Sequence, residues 1–81
     1  MKYKLYTDLA LGRDLPEEGL RKGDVVQLVD HHIAPDGTED YSIEVFNTLG
    51  DTITVTAVEV GALEPLRSDE VFSVRSLGAA A

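Results

Sequence analysis

The sequence predicts a small all-β barrel of about five short antiparallel strands, with a long early loop and a short helical turn before the last strand. Three observations predict this fold class: β-branched residues and turn formers dominate, apolar residues recur with a period of two, and Gly, Pro, Asn and Asp separate the apolar runs. The length of 81 residues indicates a single small domain. We assign residues 1–67 to the barrel and residues 68–81 to a C-terminal extension.

The first third of the chain contains two apolar segments separated by a polar one. Lys4 to Leu11 predicts the first strand, although the four-residue spacing of Leu5 and Leu9 also fits a helix. Gly12 to Gly23 is polar, and we expect it to form one long loop that folds back over the barrel. Val25 to Val29 is too apolar for a half-exposed strand, so it predicts a central or strongly twisted strand.

Turn signals lie on both sides of the third strand. Pro35 to Gly37 combines a residue with a preset φ and residues that tolerate a positive φ, which predicts a hairpin turn. Tyr41 to Phe46 alternates cleanly, so its Tyr, Ile and Val side chains are expected to face the core while Ser42 and Glu44 face solvent. Asn47 to Asp51 predicts the next hairpin turn.

Thr52 to Val58 is the most regular strand pattern in the chain. It places Ile53, Val55 and Ala57 on one face and threonines on the other. We expect the threonine face to be the half-exposed one, because threonine favours a pleated and partly solvated surface. Glu59 to Glu64 then predicts a short helical turn before a short last strand.

Residues 68–81 differ in character from the barrel. Val71, Phe72 and Val74 either add a strand or belong to a flexible tail. Leu77 to Ala81 has the composition of a frayed terminus. An apolar segment of this kind can exchange between protomers, so a homodimer is one open alternative.

Several segments of the barrel resemble a known family, namely Asp14 to Leu20, Tyr41 to Phe46 and Leu63 to Leu66. They look like an uncharacterised bacterial family of SH3-like small-barrel domains, a domain of unknown function. The resemblance covers Leu5 to Leu66 and implies the fold without a catalytic residue. That family is similar in fold to the small ferredoxin-docking subunit of photosynthetic NDH complexes. Its association with genes beside small toxin-like reading frames implies an antitoxin or immunity role.

Gly19 to Val26 also resembles the small-barrel families that open with the pattern hydrophobic-x-x-Gly-Asp-x-Val. A glycine permits the tight turn that precedes the first long strand, and an aspartate can accept hydrogen bonds from nearby backbone amides. We therefore expect Gly23 and Asp24 to have a structural role, and we do not expect Asp24 to be catalytic.

The charge distribution is the most informative feature for function. The net charge is −8, and no lysine or arginine occurs between Lys22 and Arg67, a stretch that contains nine carboxylates. Such a surface either keeps the protein soluble or forms a docking face for a basic protein. It disfavours nucleic acid, because phosphate contacts need clustered lysine and arginine.

The sequence lacks the parts of familiar catalytic sites. Cysteine is absent, and there is no Ser–His pair with a signature spacing and no phosphate-binding glycine loop. His31 and His32 are adjacent and therefore poorly placed to share a metal ion, and we expect a solvated loop there. The apolar runs are too short to span a membrane. We expect no enzymatic activity, no cofactor, no metal and no membrane contact.

We therefore expect a cytoplasmic, non-catalytic protein-binding module. It would be an antitoxin or immunity-type protein that neutralises a basic partner, such as a co-encoded nuclease toxin, through its acidic surface. The alternative is a structural accessory subunit of a larger enzyme complex. The expected electrostatic contacts are Glu17, Glu18, Asp30, Asp36, Glu39, Asp40 and Glu44, and the expected apolar anchor is Tyr6 or Phe46.

Overall fold

A computed structural model describes residues 2–77 as one five-stranded antiparallel sheet that curls into a half-barrel. The strand order is β4-β3-β2-β1-β5, so the expected all-β architecture is confirmed and the second strand is central. No helix in residues 2–77 is long and apolar enough to cross a membrane. The strands are β1 (Asp8–Leu11), β2 (Val25–Ile33), β3 (Glu39–Phe46), β4 (Thr52–Glu59) and β5 (Leu63–Glu64), and the short 3-10 turns are Pro16–Glu18 and Val60–Ala62.

The core lies on the concave face of the sheet. Its largest fully buried side chains are those of Tyr41, Leu11, Leu28, Ile43 and Val26. The expected inward direction of the alternate residues of β3 is confirmed, since the tyrosine, isoleucine and valine of that strand are all buried. Burial of such side chains is the main stabilising contribution in a domain of this size.

The predicted turns are confirmed by their backbone angles. Gly37 and Gly50 both have a φ of 89°, a left-handed conformation that favours glycine over other residues. In the second of these turns the Asn47 side-chain oxygen accepts the backbone N–H groups of Leu49 and Asp51, each at 2.9 Å. A side chain that satisfies two turn amides in this way fixes the register between β3 and β4.

The first strand is shorter than the sequence pattern predicts. It begins at Asp8, and the preceding Tyr6 has a φ of 63° and donates its N–H to the Leu28 carbonyl at 2.6 Å. A left-handed residue interrupts the extended backbone, so the segment from Lys4 onward cannot form one continuous strand. The helical alternative for this segment is wrong, because Leu9 and Leu11 lie in β1.

The expected orientation of β4 is also wrong. Thr54, Thr56 and Val58 pair with the buried residues of β3 and turn toward the core, whereas Val55 lies opposite Glu44 and is 57% exposed. Alternation along a strand separates two faces without showing which one is buried. Here the buried side of β3 and the need to bury Val58 decide it, and the Thr54 and Thr56 hydroxyls face the inner side.

The C-terminal extension forms no strand within residues 68–77. The frayed end was predicted for Leu77 to Ala81, of which residues 78–81 lie outside the described residues. Val71, Phe72 and Val74 are 90%, 81% and 84% exposed. The segment is held by Arg75, which donates Nε–H to one oxygen of Asp24 at 3.1 Å and Nη2–H to the other. The extension therefore runs back over the loop before β2.

Candidate functional site

Three of the expected contact residues share the convex, outer face of the β2–β3 hairpin. Asp30 lies opposite Ser42, Asp40 opposite His32, and Glu44 opposite Gln27. Directly opposed residues in an antiparallel pair point to the same side of the sheet, and the residues between them on β3 point to the core. These three carboxylates therefore lie together on one solvent-facing side.

Asp36 lies at the tip of the same hairpin, in the turn between β2 and β3. Its side-chain oxygen accepts the backbone N–H of Thr38 at 2.9 Å. The hydrogen bonds from Thr38 hold the pKa of the Asp36 carboxyl below its ordinary value. The turn thus presents a firmly ionised group next to the outer face, and we use the name acidic face for Asp30, Asp36, Asp40 and Glu44 together.

Glu39 is turned the other way, into a small polar cluster at the inner rim of the sheet. Its Oε1 accepts hydrogen bonds from the Lys2 backbone N–H at 3.1 Å, from the Tyr41 hydroxyl at 3.1 Å and from His31 Nε2 at 2.9 Å. The Lys2 N–H is the main cause of the lowered pKa of Glu39, and it outweighs burial, which acts in the opposite direction. Glu39 is thus separated from the acidic face and ties the N-terminal segment to β3.

The long early loop folds back over the open side of the half-barrel, as expected, and buries Leu20. Glu18 accepts hydrogen bonds from the hydroxyls of Thr54 at 3.3 Å and Thr56 at 3.2 Å. It therefore lies along the inner side of β4, away from the acidic face, while its neighbour Glu17 is exposed on the 3-10 turn. Apart from Glu39, the expected carboxylates therefore form two separate groups, with Glu17 and Glu18 on the early loop and the acidic face on the β2–β3 hairpin.

The two expected apolar anchors are both accessible. Tyr6 is 70% exposed and is fixed by its backbone N–H bond to β2, whereas Phe46 is 41% exposed at the end of β3. Val55 was missed by the sequence reasoning because its face of β4 was expected to be buried. Its exposure could have been inferred from its position opposite Glu44, but this position is known only when the register between β3 and β4 is known.

Within residues 2–77 no lysine or arginine pairs with the acidic face, although His32 Nε2 lies 3.6 Å from the Asp30 carboxylate. None of its carboxylates, nor those of Glu17, Glu18 and Glu39, forms an ion pair with a lysine or arginine of residues 2–77. The arginines that do form ion pairs contact other carboxylates: Arg67 pairs with Asp69, Arg75 with Asp24, and Arg13 with Glu59, which lies opposite Asp40. The negative field of the hairpin is therefore open to a partner.

His31 and His32 belong to β2, so the expected solvated loop at this position is wrong. His31 faces Glu39 on the inner side, whereas His32 Nε2 lies 3.1 Å from the Ser42 hydroxyl on the outer side. The two rings therefore cannot share one ion. Among residues 2–77 there is no group of three or more His, Cys, Asp or Glu side chains placed to hold a metal.

We expect acid to destabilise this domain through three carboxylates. Burial alone would raise the pKa of Asp24, but hydrogen bonds from Arg75 and from the Arg21 backbone bring it below its ordinary value, and Asp36 and Glu39 are also lowered. A folded-state pKa below the unfolded one stabilises the protein above the unfolded value, and this contribution is lost as the pH falls through the folded value.

The free energy of unfolding measured with urea should therefore be higher at about pH 7 than at about pH 3. The double variant Asp36→Asn/Glu39→Gln should show a flatter dependence between those pH values, because two of the three linked groups are gone. If the free energy of unfolding of the variant falls as steeply with decreasing pH as that of the wild type, Asp36 and Glu39 are not the source of the acid sensitivity.

Comparison with known proteins gives a family match for the part of the chain that forms the sheet. A family model described as "Domain of unknown function (DUF4926)" matches residues 5–65, a range that includes all five strands and stops before the C-terminal extension. No curated protein and no solved structure matches the chain significantly. Because the match covers most of the sequence, the chain belongs to the DUF4926 family, a domain family of unknown function.

Proposed function

We propose that this protein is a non-catalytic binding module that neutralises a basic protein partner. In its most specific form it is a cytoplasmic bacterial antitoxin or immunity-type protein, and the partner is a co-encoded toxin such as a nuclease. The observation that carries the proposal is the acidic face: Asp30, Asp40 and Glu44 on one side of the β2–β3 hairpin, with Asp36 at its tip and no lysine or arginine paired to them within residues 2–77.

The chemistry of the partner follows from this charge arrangement. A nuclease binds the phosphate backbone with clustered lysine and arginine, so its working surface is positive. A hairpin that presents carboxylates without a lysine or arginine partner is complementary to such a surface, steers the encounter and covers the groups that would hold nucleic acid. A carboxylate with a lowered pKa, such as Asp36, remains ionised throughout the physiological range.

Removal of the charges of the acidic face tests this proposal. We expect the neutralised variant to retain less of the basic partner than the wild type when a tagged full-length chain is incubated with cell lysate. The difference should be largest at low salt, where charges act over longer distances. The neutralised variant carries Asp30→Asn, Asp36→Asn, Asp40→Asn and Glu44→Gln.

A control variant removes the same number of charges away from the acidic face. It should bind the partner as the wild type does, which separates the acidic face from net charge. If the neutralised and control variants lose the same amount of partner binding, the proposal that a defined face binds the partner is contradicted. If both variants bind the partner as well as the wild type does, the electrostatic proposal itself is contradicted. The control variant carries Asp14→Asn, Glu64→Gln, Asp69→Asn and Glu70→Gln.

A second candidate function is that of a structural accessory subunit, and exposed apolar side chains favour it. Val55, Ile33 and Leu49 are 57%, 65% and 85% exposed. Permanent interfaces are more apolar than transient ones, so such residues fit a subunit that stays in its complex. An accessory subunit should be found in stoichiometric amounts within a large assembly.

A further inference from the structure

The free edge of β4 is the longest unpaired edge of the sheet. β4 has eight residues, Thr52–Glu59, and pairs with β3 on one side only, because it is the terminal strand of the sheet. Within residues 2–77 no loop or turn makes a backbone hydrogen bond to this strand. Its outward-directed N–H and C=O groups are therefore available to another extended segment.

β4 also lacks the side chains that usually prevent edge pairing. From Thr52 to Val58 it carries no charge and no proline, whereas natural edge strands commonly place lysine or proline there. One irregularity lies at its start, where the register shifts between Val45 and Phe46 of β3. From Thr54 onward the pairing is regular, and the outer face carries Val55 and Ala57.

Carboxylates lie on both faces of this edge. On the inner face, Glu18 is hydrogen-bonded to the hydroxyls of Thr54 and Thr56. On the outer face, Glu44 lies opposite Val55 and accepts the Thr52 hydroxyl. A strand added to β4 would alternate its side chains between these two faces, so cations on either face would meet a carboxylate.

We propose that the edge of β4 binds an extended basic segment of the protein partner, which adds to the sheet as a further antiparallel or parallel strand. Its backbone pairs with β4, its apolar side chains contact Val55 and Ala57, and its lysine or arginine side chains approach Glu18 and Glu44. This inference rests on the proposed function, because it takes the partner to be basic, and it adds the mode of recognition.

Charge complementarity selects this occupant over a second copy of the chain. A symmetric β4–β4 pair would bring the Glu18 and Glu44 carboxylates of both copies to the same junction, in a molecule whose net charge is already −8. Like charges placed opposite each other across strands are destabilising. A basic strand instead gains both the backbone pairing and the ion pairs.

A suitable probe is an eight-residue peptide that carries lysine on one face of its extended strand and valine and lysine in turn on the other face, because such a strand offers cations to both Glu18 and Glu44. We expect it to bind the full-length protein and to slow amide hydrogen exchange in Thr52–Glu59 by about tenfold or more, as measured by NMR. The control peptide has the same sequence with every backbone amide N-methylated, which keeps the charge and removes the N–H donors of both strand edges. It should bind at least about tenfold more weakly.

Two lysine variants complete the test. Val55→Lys should abolish peptide binding, because it adds a positive charge at the centre of the edge, and the 57% exposure of Val55 makes loss of folding unexpected. Val74→Lys adds the same charge at a residue of the extension that is 84% exposed, and it should bind as the wild type does. Equal weakening by both variants would overturn the edge site.

Other outcomes separate this inference from the proposed function. Protection of the β2–β3 hairpin with no change in β4, or equal binding of the N-methylated peptide, would overturn strand addition and leave the acidic face as the binding site. Protection of β4 that rises with protein concentration in the absence of peptide would overturn it in favour of a second copy. No binding of either peptide at about 50 mM salt would count against both proposals.

Discussion

Replacement of Tyr41 by alanine is expected to lower the free energy of unfolding by about 3–5 kcal/mol, as for other buried aromatic residues. The Tyr41 ring is fully buried, and its hydroxyl accepts the Tyr3 backbone N–H at 2.9 Å and donates to Glu39 at 3.1 Å. A small domain has a total stability of only about 5–15 kcal/mol, so this loss removes much of it. Urea unfolding followed by circular dichroism measures the change.

Tyr41→Phe is the matched control, because it keeps the ring and removes only the hydroxyl. It should cost about 1–2 kcal/mol, the usual effect of deleting one partner of a buried hydrogen bond. The Tyr41 pKa is raised, chiefly by burial and also by the neighbouring Glu39, so the hydroxyl is present as a donor throughout the neutral range. Equal losses in the two variants would show that the hydroxyl cluster, and not the ring, dominates.

Reversal of charge on the acidic face is the second large effect that we expect. The association rate constant with the basic partner should fall by about 10–100-fold at low salt, because steering by a charged surface acts mainly on the encounter. Surface plasmon resonance with the captured partner measures this rate. The reversed variant carries Asp30→Lys, Asp40→Lys and Glu44→Lys.

The matched variant places lysines at exposed carboxylates away from the hairpin. Its association rate should fall by much less, although both proteins have the same net charge, and its melting temperature should match that of the reversed variant. Similar rates for the two variants would mean that only net charge matters and that the acidic face has no special role. The matched variant carries Glu64→Lys, Asp69→Lys and Glu70→Lys.

Local patterns were sufficient for most of the fold. The turn residues at Gly37 and Gly50, the inward face of β3 and the 3-10 turn before β5 depend on short-range chemistry, and each was predicted correctly. The role of Asp24 was predicted in the same way, since its carboxylate accepts the Arg21 backbone N–H at 2.8 Å.

The orientation of β4 and the position of the C-terminal extension depend on long-range contacts, which local sequence patterns do not show. The two faces of β4 are both plausible in isolation, and only the register with β3 and the reach of Glu18 to Thr54 and Thr56 turn the threonines inward. The link from Arg75 to Asp24 joins residues 51 positions apart. Nothing in the sequence near either residue indicates that contact.

The carboxylates expected to form one binding site lie in separate places, again because of long-range strand pairing. The sequence identified a set of carboxylates without cations nearby, but strand parity and the hairpin geometry put Glu39 on the inner rim and Glu18 beside β4. Only Asp30, Asp36, Asp40 and Glu44 remained together as a face. The exposure of Val55 next to Glu44 followed from the register and adds an apolar element to this surface.

Partner capture at two salt concentrations tests the central claim most directly. The tagged full-length protein would be incubated with lysate of its native cells at about 50 mM and about 500 mM salt, a range over which exposed charges become strongly screened. We predict a single basic protein that is retained at low salt and largely lost at high salt. A large assembly that survives both conditions, or the absence of any basic partner at low salt, would contradict the claim.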